Sequence, residues 1–196
     1  ATIGGMGLTG IISRIALQLK RVPSPDVRQE TIRLDRLADF FALAAESDAN
    51  FDYVVAWLDS LARGAKLGRG LLLRGNHAGP DRPAVKRGWS LPFPLDPPAP
   101  LINGLTMRVF NLAYRGLPWP RRKAATAPWQ GFFYPLDRVR DWNRAYGPRG
   151  LRQFQCVVPH AVAEPAVREM LERSQRAGHA SFLTVLKTFG DAPSPG

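Results

Sequence analysis

Two amides in the run WNRAYGPRGLRQFQ (residues 142–155) are the first candidates for chemistry. Gln153 and Gln155 stand two residues apart in a segment, 152–158, that reads as a strand. At that spacing both side chains leave the same face of a strand. Each amide donates and accepts, which suits sugar hydroxyls without adding charge, and Phe154, Cys156 and Val158 would turn to a core. The plainer alternative is the polar outer face of an edge strand. Lys187 and Phe189 repeat the spacing near the end of the chain, in a strand expected over 181–189. A lysine among Val185, Leu186 and Phe189 is costly to bury unless it meets an anion or a proton-transfer partner; otherwise its head reaches back to water. Trp57 alternates with Val55 and Asp59 and on these grounds alone is a core residue. Asn143 and Arg144 sit in the WNR run, where Arg144 could pair with Asp137 or Asp141 along a short helix.

A different chemistry is offered by GGMGLTGII (residues 4–12). Glycines let a backbone approach a ligand closely, and the exposed amides of a turn suit a pyrophosphate. The spacing is not that of the dinucleotide-binding fingerprint and no helix follows it. Read structurally, it is a glycine turn feeding a strand.

The elements that must position these residues follow from periodicity. Residues 10–22 alternate as a half-buried strand and residues 27–34 continue as a second. Asp35 can cap a helix over 36–47, with Leu37, Phe40, Phe41 and Ala44 on one face. Strands are expected over 51–58 and 67–74. Prolines crowd residues 79–128, so a long loop is expected there, with one short helix over 105–114 and aromatic content that could cover a site or touch a lipid. Order resumes at 132–136, with a short helix over 137–145. The clearest helix is 164–177, with Pro165 in its first turn and Gly178 as its stop. The order implies an α+β fold, a mixed and largely antiparallel sheet with helices on one face.

Composition narrows the classes. A chain of 196 residues can bury one core, and it holds no apolar run long enough to span a membrane. The single Cys156 excludes an internal disulfide, and His77, His160 and His179 lack metal-site spacing, so no metal is expected. The net charge of +11 favours polyanions, anionic lipid surfaces or phosphorylated ligands. Its arginines are spread along the chain, clustering only at Arg121, Arg122 and Lys123 in an expected loop. That is not the concentrated pattern of a nucleic-acid module, and no nucleic-acid partner is expected. A glycine turn so near the first residue, with neither an initiator Met nor a leader, suggests the middle or C-terminal part of something longer.

Four ordered blocks carry a resemblance: ATIGGMGLTGII, YVVAWLDSLARGAKLGRG, FFYPLDRVRDWNRAYGPRGLRQFQCVVP and GHASFLTVLKTFG. In them the chain resembles the FAD-linked oxidases of the vanillyl-alcohol-oxidase superfamily, nearest the branch that acts on decaprenylphosphoryl ribose. Residues 79–126 show only scattered likeness, Tyr134 stands where that branch has histidine, and Phe133 where it has tyrosine. The resemblance implies FAD as cofactor, a sugar or polyprenyl-phosphate sugar as substrate, and hydride transfer from a secondary alcohol to flavin N5. It implies that residues 1–22 are the C-terminal edge of an FAD-binding domain and 23–196 an incomplete substrate domain, whose partner is the missing FAD-binding domain of the same protein. It assigns Gly7, Thr9, Gly10, Ile11 and Ile12 to the cofactor, and Trp57, Asn143, Arg144, Gln153, Gln155, Lys187 and Phe189 to the substrate. The catalytic groups would lie outside this chain. The same superfamily leaves open an aldonolactone or alditol oxidase. Outside it, a non-catalytic basic module with a peripheral membrane contact remains an alternative.

Overall fold

The central strand of the fold is a run of leucines. β3 (Gly70–His77) lies in the middle of a five-stranded antiparallel sheet of order β5-β1-β3-β2-β7, in which Leu72 is fully buried. β1 (Asp26–Leu34) pairs with it through Thr31↔Leu73 and Arg33↔Leu71, and β2 (Tyr53–Leu58) pairs on its other side through Val55↔Leu73 and Trp57↔Leu71. The computed structural model describes residues 4–5, 7–80, 85, 88, 90–93, 96–98, 101–116, 120–148, 150–151, 153–179, 181 and 183–190. Met6, Leu95, Trp119, Arg152 and the tail 191–196 lie outside the described residues.

Alternation divides the sheet into two faces. Ile32, Leu34, Ala56, Leu58 and Leu72 point to one, where α1 (Leu37–Ser47) lays Leu37, Phe40 and Ala44 and α4 (Ala163–Arg176) lays Val167 and Leu171. This is the hydrophobic core, and each of its large side chains contributes about 1.5–3 kcal/mol by leaving water. The expected helix starts one residue late. Arg36 occupies the N-cap, and the carboxylate of Asp39 accepts the backbone N–H groups of Asp35 (2.9 Å) and Arg36 (3.2 Å). Asp35 is therefore not the cap; the residue three positions inside the helix reaches back instead. Gly178, at φ +74°, ends α4 as expected. Arg74, buried on this face, is held by Glu30 Oε2 (2.7 Å), Glu46 Oε1 (3.0 Å) and Ser47 Oγ (3.0 Å), with Phe51 under its guanidinium.

The α+β class holds, but helices flank both faces of the sheet. α2 (Gly104–Gly116) and α3 (Trp129–Phe133) sit on the other face, through Phe110 against Trp57 and through Phe132 and Phe133 against Tyr53. The expected loop over 79–128 holds α2 and also β5 (Arg122–Pro128), which pairs antiparallel with β1 along its whole length. Arg122 and Lys123 thus belong to a strand, not a loop. β5 escapes a periodicity reading because Ala124, Ala125 and Ala127 carry little apolar surface; the ladder to β1 makes it a strand. β4 (Leu91–Pro92) and β6 (Val139–Arg140) form a separate parallel pair. Val139 and Arg140 interrupt the helix expected over 137–145, leaving 3-10 turns at Pro135–Arg138 and Trp142–Tyr146.

Three expected strands are absent or shortened. Residues 10–22 are irregular and exposed, with Ile11 97% and Leu19 80% exposed. The described part of 152–158 is likewise irregular, and Phe154 is 80% exposed instead of facing a core. The strand expected over 181–189 contracts to β7 (Val185–Leu186), extended by one bond from Leu58 N–H to the Thr184 carbonyl. All three have strand-like alternation. A strand also needs a neighbouring ladder for its amides, and among the described residues the first two have no such partner.

Candidate functional site

The face of the sheet away from the core gathers the aromatic candidates. Tyr53, Val55 and Trp57 alternate along β2 onto it, and Trp57 stands directly opposite Val185 of β7. Trp57 is buried against Phe110 of α2, ring centroids 6.3 Å apart and steeply tilted. At the far end of β2 the ring of Tyr53 meets Phe133 edge-on at 4.8 Å. Val55, Leu73 and Thr31 form the floor between these two aromatic ends, all partly or fully buried. An apolar floor between aromatic walls suits the ring face of a sugar or a hydrocarbon chain.

Two polar networks fix this face. Asp59, just beyond β2 and almost wholly buried, accepts hydrogen bonds from Arg69 Nε (2.8 Å) and Nη2 (2.6 Å), from the Leu61 N–H (2.9 Å) and from Asn111 Nδ2 (2.5 Å). Through Asn111 it ties α2, and with it Phe110, to the sheet. The other amide atom, Asn111 Oδ1, is buried with no hydrogen-bond partner among the described residues. At the opposite end the Tyr53 hydroxyl lies 3.1 Å from His77 Nε2, and His77 Nδ1 lies 2.8 Å from the Ser24 carbonyl. The carbonyl can only accept, so Nδ1 carries the proton and Nε2 accepts from Tyr53. Neither network follows from the sequence motifs. The one signal for them is the alternation that puts Tyr53 on Trp57's side of β2.

The remaining candidates are spread out. Lys187 and Phe189 follow β7, both exposed, with Phe189 67% exposed. Lys187 is therefore two residues past the Trp57–Val185 pair and reaches water. Gln153 and Gln155 are exposed in an irregular segment whose fixed point is Cys156, its Sγ 3.5 Å from Met170 Sδ on α4. No hydrogen bond joins Gln153, Gln155 and Lys187 among the described residues. Asn143 and Arg144 lie in the 3-10 turn Trp142–Tyr146, entered through Asp141 at φ +58°. Arg144 pairs with Asp96 at 3.3 Å and with neither Asp137 nor Asp141. The turn is anchored where the Ala145 carbonyl accepts the Leu101 N–H (2.9 Å), just ahead of α2, and burial pushes the Tyr146 phenol's pKa up. Gly7, Thr9, Gly10, Ile11 and Ile12 are exposed, Gly7 at φ +79° and Gly10 at φ +150°. Two surface hollows lie elsewhere, lined by Arg121, Asp39 and neighbours at the start of α1. Among the described residues no group of three or more His, Cys, Asp or Glu is placed to hold a metal ion, and no helix is long and apolar enough to cross a membrane.

No protein-family model matches the chain. It is 35% identical over 202 residues to decaprenylphosphoryl-beta-D-ribose oxidase of Mycolicibacterium smegmatis, an alignment covering 97% of this chain and 43% of that enzyme. It is 34% identical over 213 residues to an uncharacterized protein in the mprA 5'region of Streptomyces coelicolor, covering all of this chain and 56% of that protein. The chain thus spans about half the length of the curated relatives it matches. By this likeness along nearly its whole length, the chain is a relative of decaprenylphosphoryl-beta-D-ribose oxidase.

Proposed function

We propose that these residues form the substrate-facing part of an FAD-dependent oxidase that oxidises a secondary hydroxyl of a sugar carried on a polyprenyl phosphate. The observation that carries this reading is the 35% identity to an enzyme named for such a substrate, over 97% of the chain. In this reading residues 1–22 belong to the edge of the cofactor domain and the sheet domain from residue 23 onward faces the substrate.

The residues assigned to the cofactor fit it as one wall. Their backbone is exposed, and a Cβ at Gly7 would meet open space, so the amides of residues 9–12 can be reached by a phosphate or an adenosine edge without being an enclosing cradle. When bound, FAD supplies the hydride acceptor at N5. This chain's part is positioning. The Trp57 face receives the apolar side of the sugar or its prenyl chain. Gln153 and Gln155 orient ring hydroxyls by donating and accepting. Lys187 holds the phosphate as a point charge, with Phe189 beside it and Asn143 and Arg144 at the rim. None of these groups is assigned the role of base.

The test uses the complete reading frame that contains these residues. The purified protein should show flavin absorbance, bleached anaerobically by a polyprenyl-phosphate pentose and far less by the free pentose. Lys187→Met should raise KM for the phosphorylated substrate about tenfold or more while kcat changes little. Absence of flavin, or a flavin bleached equally by the free sugar, would refute the reading; the second result would point to a soluble-polyol oxidase.

A further inference from the structure

Tyr53, which closes one end of the apolar floor, rests its hydroxyl on a base. His77 Nε2 lies 3.1 Å from Tyr53 Oη, and the Ser24 carbonyl, 2.8 Å from Nδ1, fixes the tautomer in which Nε2 is the acceptor. A hydroxyl on a base that a third group orients is the arrangement by which a weak acid is made to exchange its proton. The two rings reach each other across strands. Gly75 of β3 stands directly opposite Tyr53 and has no side chain to separate them, and they meet edge-on at 5.5 Å. Phe133 at 4.8 Å and Phe132 at 6.1 Å hold the phenol from the α3 side. Lys20, bonded to Asp52 at 3.1 Å, completes the cluster. Its pKa is raised, first by the hydrogen bond and charge of Asp52 and last by the Tyr53 phenol, so its ammonium is within electrostatic reach of that oxygen. Positive charge so placed favours an oxygen losing its proton, although Lys20 is 67% exposed and salt screens the effect.

We propose that Tyr53 and His77 form a proton relay for the oxidation, Tyr53 taking the proton of the substrate hydroxyl and His77 standing behind it as the positioning group that receives the phenol's own proton. The proposal rests on the oxidase reading above and adds the proton acceptor which that reading leaves unassigned. It departs from the expectation that the catalytic groups lie outside this chain. A secondary alcohol that becomes a ketone loses a hydride from carbon and a proton from oxygen. The hydride goes to the two-electron acceptor of that reading, the flavin, which is reduced. The proton passes to Tyr53 Oη as the phenolic O–H bond breaks and its proton moves to His77 Nε2. Tyr53 ends neutral, and His77 ends as an imidazolium still donating from Nδ1 to the Ser24 carbonyl.

The test is anaerobic stopped-flow reduction of the flavin by a polyprenyl-phosphate pentose, in the protein of the complete reading frame. Tyr53→Phe keeps the ring and removes the hydroxyl. It should slow flavin reduction at saturating substrate about a hundredfold or more, while the apparent Kd changes less than about threefold. His77→Gln keeps a donor for the Ser24 carbonyl and an acceptor for Tyr53 but takes no proton. It should slow reduction about tenfold or more, with the parent's flavin content and circular dichroism. A purely structural pair predicts instead that the glutamine variant behaves as the parent. Should Tyr53→Phe fail to fold, His77→Gln alone decides. The proposal is overturned if a folded variant reduces its flavin at the parent's rate, or if the whole loss appears in Kd. A parent whose flavin this substrate does not bleach sinks the oxidase reading and the relay together, whereas a bleached parent with unslowed variants sinks the relay alone.

Discussion

Replacing Asp59 by alanine tests the idea that one buried carboxylate holds α2 and the Trp57 face together. The side chain is 1% exposed and accepts four hydrogen bonds, two of them from the Arg69 guanidinium. Removing one partner of a buried pair costs about 3–5 kcal/mol, chiefly because the other charge is left without compensation. Arg69 is 25% exposed and can be partly rehydrated, so the lower part of that range, about 3–4 kcal/mol, applies here. In a domain of this size that lowers Tm by roughly 6–16 °C. Urea unfolding followed by circular dichroism measures the loss, and tryptophan fluorescence tracks the Trp57–Phe110 contact. Asn111→Leu makes the informative partner. It removes one bond to Asp59 but also the unpartnered Oδ1, so it should cost less than about 1.5 kcal/mol. The two substitutions should be strongly coupled in a double-mutant cycle. A loss below about 1 kcal/mol for Asp59→Ala, or simple additivity with Asn111→Leu, would refute the reasoning.

Two further outcomes follow from local geometry. Gly68 sits at φ +77°, and a Cβ there would lie 2.6 Å from Leu37 Cβ and 2.7 Å from Leu37 Cα at the start of α1. Gly68→Ala should therefore cost about 2–4 kcal/mol in urea unfolding, strain and clash together. For Asp39, burial opposes its charge, but the N–H groups of Asp35 and Arg36 and the Arg36 guanidinium hold its pKa below the usual 3.8. A depressed folded value means the carboxylate's contribution is complete above 3.8 and is lost as pH falls through the lower folded value. Asp39→Asn should thus destabilise by about 1 kcal/mol at neutral pH, with the difference closing in acid; a gap that persists or widens in acid would contradict the assignment.

The sequence alone determined what depends on near neighbours in the chain. The spacing of Leu37, Phe40 and Ala44 requires a helix whatever it packs on, as does the run from Ala163 to the glycine stop at Gly178. The alternation of β1 and β2 and the leucines of β3 likewise imply an α+β sheet. The blocks around Gly10, Trp57, Gln153 and Lys187 suggested a kinship, and the comparison finds one, at 35% identity over 97% of the chain. Tertiary structure decided whatever depends on a partner distant in sequence. β5 is a strand because β1 lends it a ladder, while residues 10–22 and 153–158 have the pattern but no such ladder among the described residues. The contact of Trp57 with Phe110, the ties of Asp59 to Arg69 and Asn111 and the pairing of Arg144 with Asp96 join residues ten to fifty-three positions apart. Periodicity reports which side of an element is apolar. It does not report which other element, if any, comes to cover it, because that choice is made by packing between segments that no local pattern links.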